Sequence, residues 1–355
     1  MVPGGRKPFA TSGELTLAAY DQSGVSLRTR FHASFEGCNT ANRTTRLEGN
    51  QFTKIYKEFN QVASESSYSI NGPLVMPFAN VMNLPYPEKL RATQLAGFGG
   101  LSLHPHEVRK IVASGISATD MLRMANDHGV MIVRLDPLTA WNPSWLPDNM
   151  PPEYVPGHDI PSQEFFNLCE NLHCTYASLN ASFPADRLRF NEIVDYYAAT
   201  CRLGAEYGVT CDLENLPMWG VATLKQSWDI VRAAGQSNGG LVYDILHYIR
   251  SNSDIETLRS IPGNQIHVVQ LNDGPLQLAE GVSLQENCFD RLWPGEGEFP
   301  LIEVLRVLGQ IEGLNQVNPE VFSPRNKGKT AEEIARLSSE SIRKILDAAE
   351  ISYNS

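Results

Sequence analysis

The sequence has 355 residues, of which 42% are hydrophobic and 19% charged, so it can bury one large core or two modest ones. Its 40 acidic and 29 basic residues give a net charge of -11, which disfavours a nucleic-acid partner because a duplex would be repelled. No apolar run approaches the roughly 20 residues of a membrane span, and no secretory h-region opens the chain. Six scattered cysteines without a CxxC pair indicate reduced thiols, so we expect a cytoplasmic protein that does not contact a membrane.

The first 73 residues differ in character from the rest of the chain. Stretches such as SFEGCNTANRTTRLEGNQ are polar, rich in Gly, Asn and Thr, and show no hydrophobic period. The segment also contains more acidic residues than a typical transit peptide. We therefore predict a loop-rich or disordered N-terminal extension over residues 1–73 and a single domain over residues 74–355.

From residue 74 onward, short apolar runs alternate with longer amphipathic runs. Eight of the short runs read as strands, at 75–82, 98–103, 130–136, 174–179, 209–214, 239–244, 266–273 and 316–322. Eight longer runs read as helices, several with apolar residues at three- and four-residue spacing, at 88–96, 118–128, 162–172, 190–208, 222–235, 254–261, 301–311 and 331–350. This alternation predicts a (β/α)8 TIM barrel. A doubly wound open sheet is the alternative, and the absence of G-x-G-x-x-G after the first strand weakens it.

A barrel gathers its active groups at the carboxyl ends of its strands. The fifth predicted strand ends at Glu214, the sixth ends at Asp244, and the eighth contains Glu320. Gln270 in the seventh strand adds an amide oxygen at the same end. Three carboxylates and one amide oxygen would repel each other unless a cation lies between them, so this pattern predicts a metal site.

Five motifs follow one another along the second half of the chain: L-E-N at strand five, Y-D-x-x-H at strand six, Q-L-N-D at strand seven, R-x-x-P-G-E-G after it, and P-E-V-F-S-P at strand eight. In this order they resemble the sugar phosphate isomerase/epimerase family of the xylose-isomerase-like TIM-barrel superfamily, over about residues 76–350. The resemblance implies one divalent metal ion held by Glu214, Asp244, Gln270 and Glu320. It further implies that Glu214 and Glu320 exchange a proton with the substrate, and that His247 and Arg291 bind it.

Two positions depart from the family pattern. Strand seven of most members reads H-x-K-D, and here Gln270 replaces the histidine ligand. We expect His267, three residues earlier, to lie on the opposite face of the strand. The epimerases also carry a glutamate six residues after the strand-five ligand, where this chain has Gly220. Because all four donors are oxygens, we expect Mn²⁺, with Mg²⁺ or Co²⁺ as alternatives, in preference to Zn²⁺.

Three classes of function agree with these residues. A divalent cation that chelates a carbonyl and its neighbouring hydroxyl stabilises an enediolate, and flanking carboxylates can transfer the proton. The first hypothesis is therefore an isomerase or epimerase acting on a sugar, polyol or keto-acid. The second is a dehydratase of an inosose- or dehydroshikimate-like ring, and the third is a non-catalytic barrel that binds a sugar-like ligand. Endonuclease chemistry ranks last, because it needs a histidine-rich multi-metal site and a basic groove.

Two further residues are candidate substrate contacts. His104 follows the second predicted strand, and Trp141 lies in a long aromatic loop after the third, which we interpret as a lid over an apolar or cyclic ligand. No phosphate-binding glycine loop is visible, which favours a small, non-phosphorylated, sugar-like substrate. A homo-oligomer is compatible with the sequence.

Overall fold

The computed structural model describes residues 68–146 and 155–353, together with the backbone of two strands, Glu14–Tyr20 (β1) and Ser26–His32 (β2). These two strands pair antiparallel, and the sequence analysis predicts neither of them. Its expectation of loop or disorder for the rest of residues 1–67 lies outside the described residues. The chain divides into two compact units, Met1–Glu65 and Ser66–Ser355.

The second unit contains one sheet of eight parallel strands arranged in chain order. The strands are Val75–Met76 (β4), Gly100–Leu103 (β5), Met131–Leu138 (β6), Tyr176–Asn180 (β7), Thr210–Glu214 (β8), Gly239–Asp244 (β9), Ile266–Leu271 (β10) and Gln316–Pro319 (β11). A parallel bridge between Leu74 and Val317 connects the first edge to the last, so the sheet forms a nearly closed barrel. The predicted TIM barrel is confirmed.

Helices cover the outside of the barrel. They are Phe78–Val81 (α1), Tyr86–Leu95 (α2), Pro105–Ala113 (α3), Ala118–Asp127 (α4), Val155–His158 (α5), Ser162–Asn171 (α6), Phe190–Glu206 (α7), Leu224–Ala234 (α8), Ile245–Arg250 (α9), Ile255–Arg259 (α10), Leu284–Cys288 (α11), Leu301–Gln310 (α12) and Ala331–Ala348 (α13). All eight predicted helical segments are helical in the structure. Five further helices, most of them shorter than two turns, are not predicted from the sequence: α1, α3, α5, α9 and α11.

The first predicted strand, 75–82, is too long. Pro77 has no N–H to donate to a strand ladder, so pairing stops before it, and the chain turns into α1. The backbone N–H of Phe78 donates instead to the hydroxyl of Ser102, at 2.9 Å. The last barrel strand likewise ends at Pro319, short of the predicted residue 322.

A separate two-stranded parallel sheet joins the two ends of the second unit. Tyr68–Ser69 (β3) pairs with Ile351–Ser352 (β12), and the N–H of Ile70 donates to the carbonyl of Ser352 at 2.9 Å. Ile70 and Ile351 are both buried. Residues 68–74 are therefore packed against the barrel, next to the amino end of its strands.

Among the described helices, none is both long and apolar enough to cross a bilayer.

Candidate active site

The alternation of side chains along β8 and β9 decides which residues enter the barrel. A Cβ added at Gly204 on α7 would meet the Cys211 sulfur at 2.8 Å, so Cys211 points outward towards that helix. Its neighbours Asp212 and Glu214 therefore point inward. A Cβ added at Gly240 would meet the Asp212 carboxylate at 2.8 Å, so Gly240 faces the inside of the barrel. Asp244, four residues further along β9, faces the same side.

A buried ionic network fills the barrel below the mouth. The guanidinium of Arg134 donates to Ser178 Oγ at 3.1 Å and to Asp212 Oδ2 at 2.7 Å, and the other carboxylate oxygen of Asp212 contacts His267 Nδ1 at 2.5 Å. His267 thus lies on the inner side of β10, as Gln270 does. The prediction that these two residues occupy opposite faces is wrong, because the strand register shifts between Ile266 and Val268.

Above this network, the amide of Gln270 and four carboxylates meet at the carboxyl ends of the strands. The carboxylates are those of Asp136, Glu214, Asp244 and Glu320. Gln270 Nε2 donates to Glu320 Oε1 at 2.8 Å and lies 3.4 Å from Asp136 Oδ2. Arg291 Nη1 donates to Asp244 Oδ2 at 2.7 Å and to Glu320 Oε2 at 3.0 Å. The side chains of Asp136, Asp244, Gln270, Glu320 and Arg291 are all buried. The structure therefore brings Asp244, Gln270, Glu320 and Arg291 together in one hydrogen-bonded cluster.

Glu214 and His247 complete the cluster on its other side. The Nε2 atom of His247 lies 3.6 Å from Glu214 Oε1 and 3.9 Å from Asp244 Oδ2. His247 comes from α9, whose first turn is capped by Asp244, because the Oδ1 atom of Asp244 accepts from the N–H of Leu246 at 2.8 Å. One ligand atom each from Glu214, Asp244 and His247 lies within 4.8 Å of the others.

Burial and mutual repulsion set the protonation of this cluster. Burial raises the pKa of Glu214 well above its usual range, and the negative charges of Asp136, Asp244 and Glu320 raise it further. Burial likewise raises the pKa values of Asp136 and Glu320. Burial alone would raise the pKa of Asp244 too, but the Arg291 guanidinium reverses that effect and lowers it.

His247 is an uncharged donor in this environment. Burial lowers its pKa to about 4, and Arg291 lowers it further against the opposing pull of Asp244. Its Nδ1 atom has no hydrogen-bond partner among the described residues. A neutral imidazole beside two carboxylates can donate a hydrogen bond or bind a cation, and both uses suit this position.

The donor atoms fit a divalent cation. The Oε1 atom of Gln270 is buried without a partner among the described residues, and so is the Oδ1 atom of Asn272. A buried, unpaired carbonyl oxygen costs free energy unless a donor or a cation satisfies it. Carboxylates, amide oxygens and one imidazole form a donor set that Mn²⁺, Mg²⁺, Co²⁺ or Zn²⁺ can use.

Asp136 is the site residue that the sequence analysis misses. The third predicted strand ends at Asp136 with no site role assigned to it, whereas β6 continues through Asp136 to Leu138. Arg134 and Asp136 share one face by period-two alternation, and Arg134 lies inside the barrel. The signal was present in the sequence, since the predicted strand VMIVRLD ends in a carboxylate at the same end as Glu214.

Trp141 does not form an exposed lid. It is 5% exposed, its indole N–H donates to the carbonyl of Asn180 at 2.8 Å, and its ring meets that of Phe183 edge-on at 6.1 Å. Phe183 also explains why position 220 holds glycine and not the glutamate of the epimerases, because a Cβ added at Gly220 would lie 1.9 Å from the Phe183 ring. An aromatic ring therefore fills the space in which a side chain at position 220 would begin.

His104 lies in an aromatic row that leads to the carboxylate cluster. Its ring packs against Phe78 at 5.4 Å, Phe78 packs against Phe322 at 5.4 Å, and the Arg291 guanidinium lies 5.1 Å from the centre of the Phe322 ring. His104 Nδ1 accepts from the N–H of His106 at 3.2 Å. Burial lowers the pKa of His104 to about 3, so it is neutral.

Comparison with known proteins identifies relatives of this barrel. A family model described as xylose isomerase-like TIM barrel matches residues 90–345. An inosose isomerase of Bacillus velezensis is 34% identical over 142 residues, which are 39% of this chain and 49% of that protein. A 3-dehydroshikimate dehydratase of Pseudomonas aeruginosa is 29% identical over 218 residues, which are 61% of this chain and 32% of that protein. The chain thus spans half or less of the length of these two curated relatives.

Solved structures share the fold at low sequence identity. The crystal structure of an IolI protein with a bound zinc atom is 21% identical, with a TM-score of 0.68, and the match covers 78% of this chain and 99% of that one. An L-ribulose 3-epimerase is 15% identical, with a TM-score of 0.57, over 78% of this chain and 95% of that one.

Proposed function

Because the chain belongs to the xylose isomerase-like TIM barrel family, we propose that it is a divalent-metal-dependent enzyme that isomerises a cyclic, polyhydroxylated ketone. The observation that supports this most directly is the buried group of four carboxylates and one amide at the carboxyl ends of the barrel strands. The curated relatives named above act on two six-membered ring ketones, inosose and 3-dehydroshikimate. Isomerisation of such a ketone, or loss of water from it, can begin with removal of a proton from the carbon next to the carbonyl.

Glu214 is the proposed proton-transfer group. Its carboxylate lies 3.6 Å from His247 Nε2, whereas two donors fix the carboxylate of Glu320. The raised pKa of Glu214 makes it a stronger base than an exposed glutamate and able to hold a proton for return. Glu320 is the proposed partner that receives or returns a proton at the neighbouring carbon. His247 then donates a hydrogen bond to the substrate or to Glu214.

Glu214, Asp244, Gln270 and Glu320 are the proposed ligands of one divalent ion, with His247 close enough to join them. When bound, such an ion would polarise the ketone and its neighbouring hydroxyl and make the carbon between them more acidic. We propose Mn²⁺, with Mg²⁺ or Co²⁺ as alternatives, because oxygen donors predominate. The zinc in the IolI structure makes Zn²⁺ the comparison that any metal assay must include.

A dehydratase is the second candidate, and two observations favour it. Phe183 fills the space at Gly220, where the epimerases of the family carry their extra glutamate. The dehydratase relatives also match more of this chain, 61% and 73%, than the inosose isomerase of Bacillus velezensis, 39%. Loss of water starts from the same proton removal, so the two candidates share Glu214 and differ in whether a hydroxyl leaves.

Incubation of the purified protein with MnCl₂ in D₂O tests the proposal, with an inosose and 3-dehydroshikimate as separate substrates. Isomerisation would place deuterium on a ring carbon of the recovered ketone, detected by NMR. Dehydration of 3-dehydroshikimate would give an aromatic product, detected by its ultraviolet absorbance. Glu214→Gln should lower either rate by at least about 100-fold. Absence of both exchange and dehydration with Mn²⁺, Mg²⁺, Co²⁺ and Zn²⁺ would contradict the proposal and support a non-catalytic barrel.

The remaining expectations are also proposals. Five cysteines are buried with free thiols in the described part of the chain, which supports reduced thiols and a cytoplasmic location. The guanidinium of Arg291 is engaged by carboxylates, so its substrate role would use a nitrogen other than Nη1. His104 and Trp141 are proposed to act through their ring faces, since a nitrogen of each ring is already hydrogen-bonded.

A further inference from the structure

Arg291 occupies an unusual place for a substrate-binding residue. Its side chain is 3% exposed and holds two of the proposed metal ligands at once, through Nη1 to Asp244 Oδ2 at 2.7 Å and to Glu320 Oε2 at 3.0 Å. Its Nε atom donates to the carbonyl of Cys288 at 2.9 Å, and its guanidinium lies over the ring of Phe322. The arginine therefore supplies a full positive charge inside the carboxylate cluster.

Arg291 donates to carboxylate oxygens of two residues that are proposed to bind the metal ion. Asp244 Oδ1 already accepts from Leu246 N and Asn272 Nδ2, at 2.8 and 3.0 Å, and Glu320 Oε1 accepts from Gln270 Nε2. Arg291 takes the second oxygen of each carboxylate. A divalent ion bound by Asp244 and Glu320 would either share these oxygens with the positively charged Arg291 or displace it, because each carboxylate oxygen has only two lone pairs.

We propose that Arg291 is an internal counter-cation that competes with the divalent metal for Asp244 and Glu320. Without metal it neutralises the two carboxylates and keeps the site assembled, and metal binding shifts it away from them. The bond to the Cys288 carbonyl and the face of the Phe322 ring hold the guanidinium on the two carboxylates when no metal is bound. The inference rests on the proposed metal site, and it makes this site weaker for metal than its four carboxylates alone would be.

Metal titration of the 355-residue chain tests the inference without any substrate. Isothermal titration with MnCl₂ would compare wild type with Arg291→Gln, which removes the charge, and Arg291→Lys, which keeps it. Arg291→Gln should bind Mn²⁺ at least about ten-fold more tightly, because a nearby positive charge and a competing donor are gone. Arg291→Lys should stay within about three-fold of wild type, since a charge is retained. Zn²⁺ titrations provide the same comparison for a second ion.

Thermal unfolding gives an independent readout. In EDTA, Arg291→Gln should have a lower melting temperature than wild type, because the two buried carboxylates lose their counter-charge. MnCl₂ should recover most of that loss, and it should raise the melting temperature of wild type by less than it raises that of Arg291→Gln. Arg250→Gln is the matched control: Arg250 also lies over an aromatic ring but donates to the carbonyls of Pro275 and Leu276 and to Asn287, so its loss should leave the Mn²⁺ affinity unchanged.

A second variant keeps the inference testable if Arg291→Gln does not fold. Phe322→Leu leaves every proposed ligand intact and removes the aromatic face under the guanidinium, so it should loosen Arg291 and raise the Mn²⁺ affinity by about two- to five-fold. Weaker or equal Mn²⁺ binding in Arg291→Gln and Phe322→Leu, with clear binding to wild type, would overturn the competition alone. Absence of Mn²⁺ and Zn²⁺ binding in every variant would overturn the proposed metal site as well.

Discussion

Gln270 is the residue whose chemistry distinguishes this site from one with a histidine at the same position. Its amide nitrogen joins Glu320 and Asp136, and its amide oxygen is buried without a partner among the described residues. A rotation of the Gln270 side-chain amide can present its oxygen to a cation while the carboxylates of Glu320 and Asp136 stay in place. This makes Gln270 a neutral donor in a site whose other donors are mainly charged.

Substitution of Gln270 should therefore change metal selectivity rather than folding. We expect Gln270→His to be tolerated and to shift preference towards Co²⁺ and Zn²⁺, because imidazole suits those ions. Gln270→Leu should weaken Mn²⁺ by at least about ten-fold, since it removes a donor and the bridge between two carboxylates. Titration calorimetry measures both. Gln316→Leu is the control. Gln316 lies in the last barrel strand and is also a buried glutamine whose amide oxygen has no partner among the described residues. Equal affinities in all four proteins would exclude Gln270 from the metal shell.

The pair formed by Asp212 and His267 should make stability depend on pH. Burial opposes both charges, but the contact between them lowers the pKa of Asp212, with help from Arg134, and raises the pKa of His267 against the opposing charge of Arg134. The lowered pKa of Asp212 stabilises the fold at pH values above the pKa that this carboxyl has in the unfolded chain. The raised pKa of His267 stabilises the fold at pH values below the pKa that this imidazole has in the unfolded chain. The pair therefore contributes most between about pH 4 and 6.5.

Thermal unfolding of His267→Gln across pH tests this pair. The melting temperature of the variant should fall furthest below that of wild type near pH 5, where the ion pair is complete. The difference should shrink towards pH 9, as His267 loses its proton in the folded protein. A constant difference from pH 5 to pH 9 would mean that His267 contributes packing and not charge.

Among the loops, the segment that carries Arg291 depends on one carboxylate. Asp273 follows β10, and its two oxygens accept from the backbone N–H groups of Gly274, Gly295 and Phe299, each at 2.9 Å. A backbone bridge between Asp273 and Leu292 closes the same segment. The R-x-x-P-G-E-G motif is thus shaped by a residue of the preceding strand end.

Removal of the Asp273 carboxylate should release this loop. Asp273→Ala leaves the N–H groups of the buried residues Gly274 and Phe299, and that of the exposed Gly295, without their acceptor, so we expect a loss of at least about 2 kcal/mol in the free energy of unfolding. Asp273→Asn keeps one side-chain oxygen and should lose less. Urea denaturation measures both, and amide hydrogen exchange should show faster exchange at Gly295 and Phe299. Unchanged exchange at these two residues would show that the loop is held by other contacts.

The loops after β7 and β8 meet where Phe183 covers Gly220. We expect Gly220→Ala to destabilise the barrel by about 1–3 kcal/mol, because its methyl group would overlap the Phe183 ring. In a Phe183→Leu background the same substitution should cost less than half as much, since the overlapping ring is gone. Urea denaturation of the four proteins of this double-mutant cycle gives the coupling. An identical cost in both backgrounds would remove Phe183 as the reason for glycine at this position.

For the whole molecule, the place where the barrel unit begins can be tested by truncation. A chain that begins at Ser66 retains β3 and its pairing with β12, whereas one that begins at Leu74 loses Tyr68, Ile70 and the bonds to Ser352. Both should fold and bind Mn²⁺, because the metal-site residues all lie after Asp136. The shorter chain should melt at a lower temperature. Insolubility of the Ser66 chain would show that residues 1–65 are integral to folding.

Local pattern was sufficient to predict the barrel and the carboxylate cluster. Alternating apolar runs fix strands and helices, and parallel strands in a barrel end at the same rim, so Glu214, Asp244, Gln270 and Glu320 had to approach one another. Pro77 and Pro319 show where pattern fails at element ends. Both sit inside predicted strands, yet each lacks the N–H that a longer ladder would need.

Tertiary structure alone decided the contacts between residues far apart in the chain. The shift of register between Ile266 and Val268 turned His267 inward to Asp212, which strict alternation forbids. Phe183 came to fill the space at Gly220, and Arg291 came to bridge Asp244 and Glu320. The amino-acid sequence by itself determined which chemical groups reach the barrel mouth, because period and strand order are local properties. Which of those groups neutralise one another depends on distances of a few ångströms between separate strands, and only the packed barrel sets those distances.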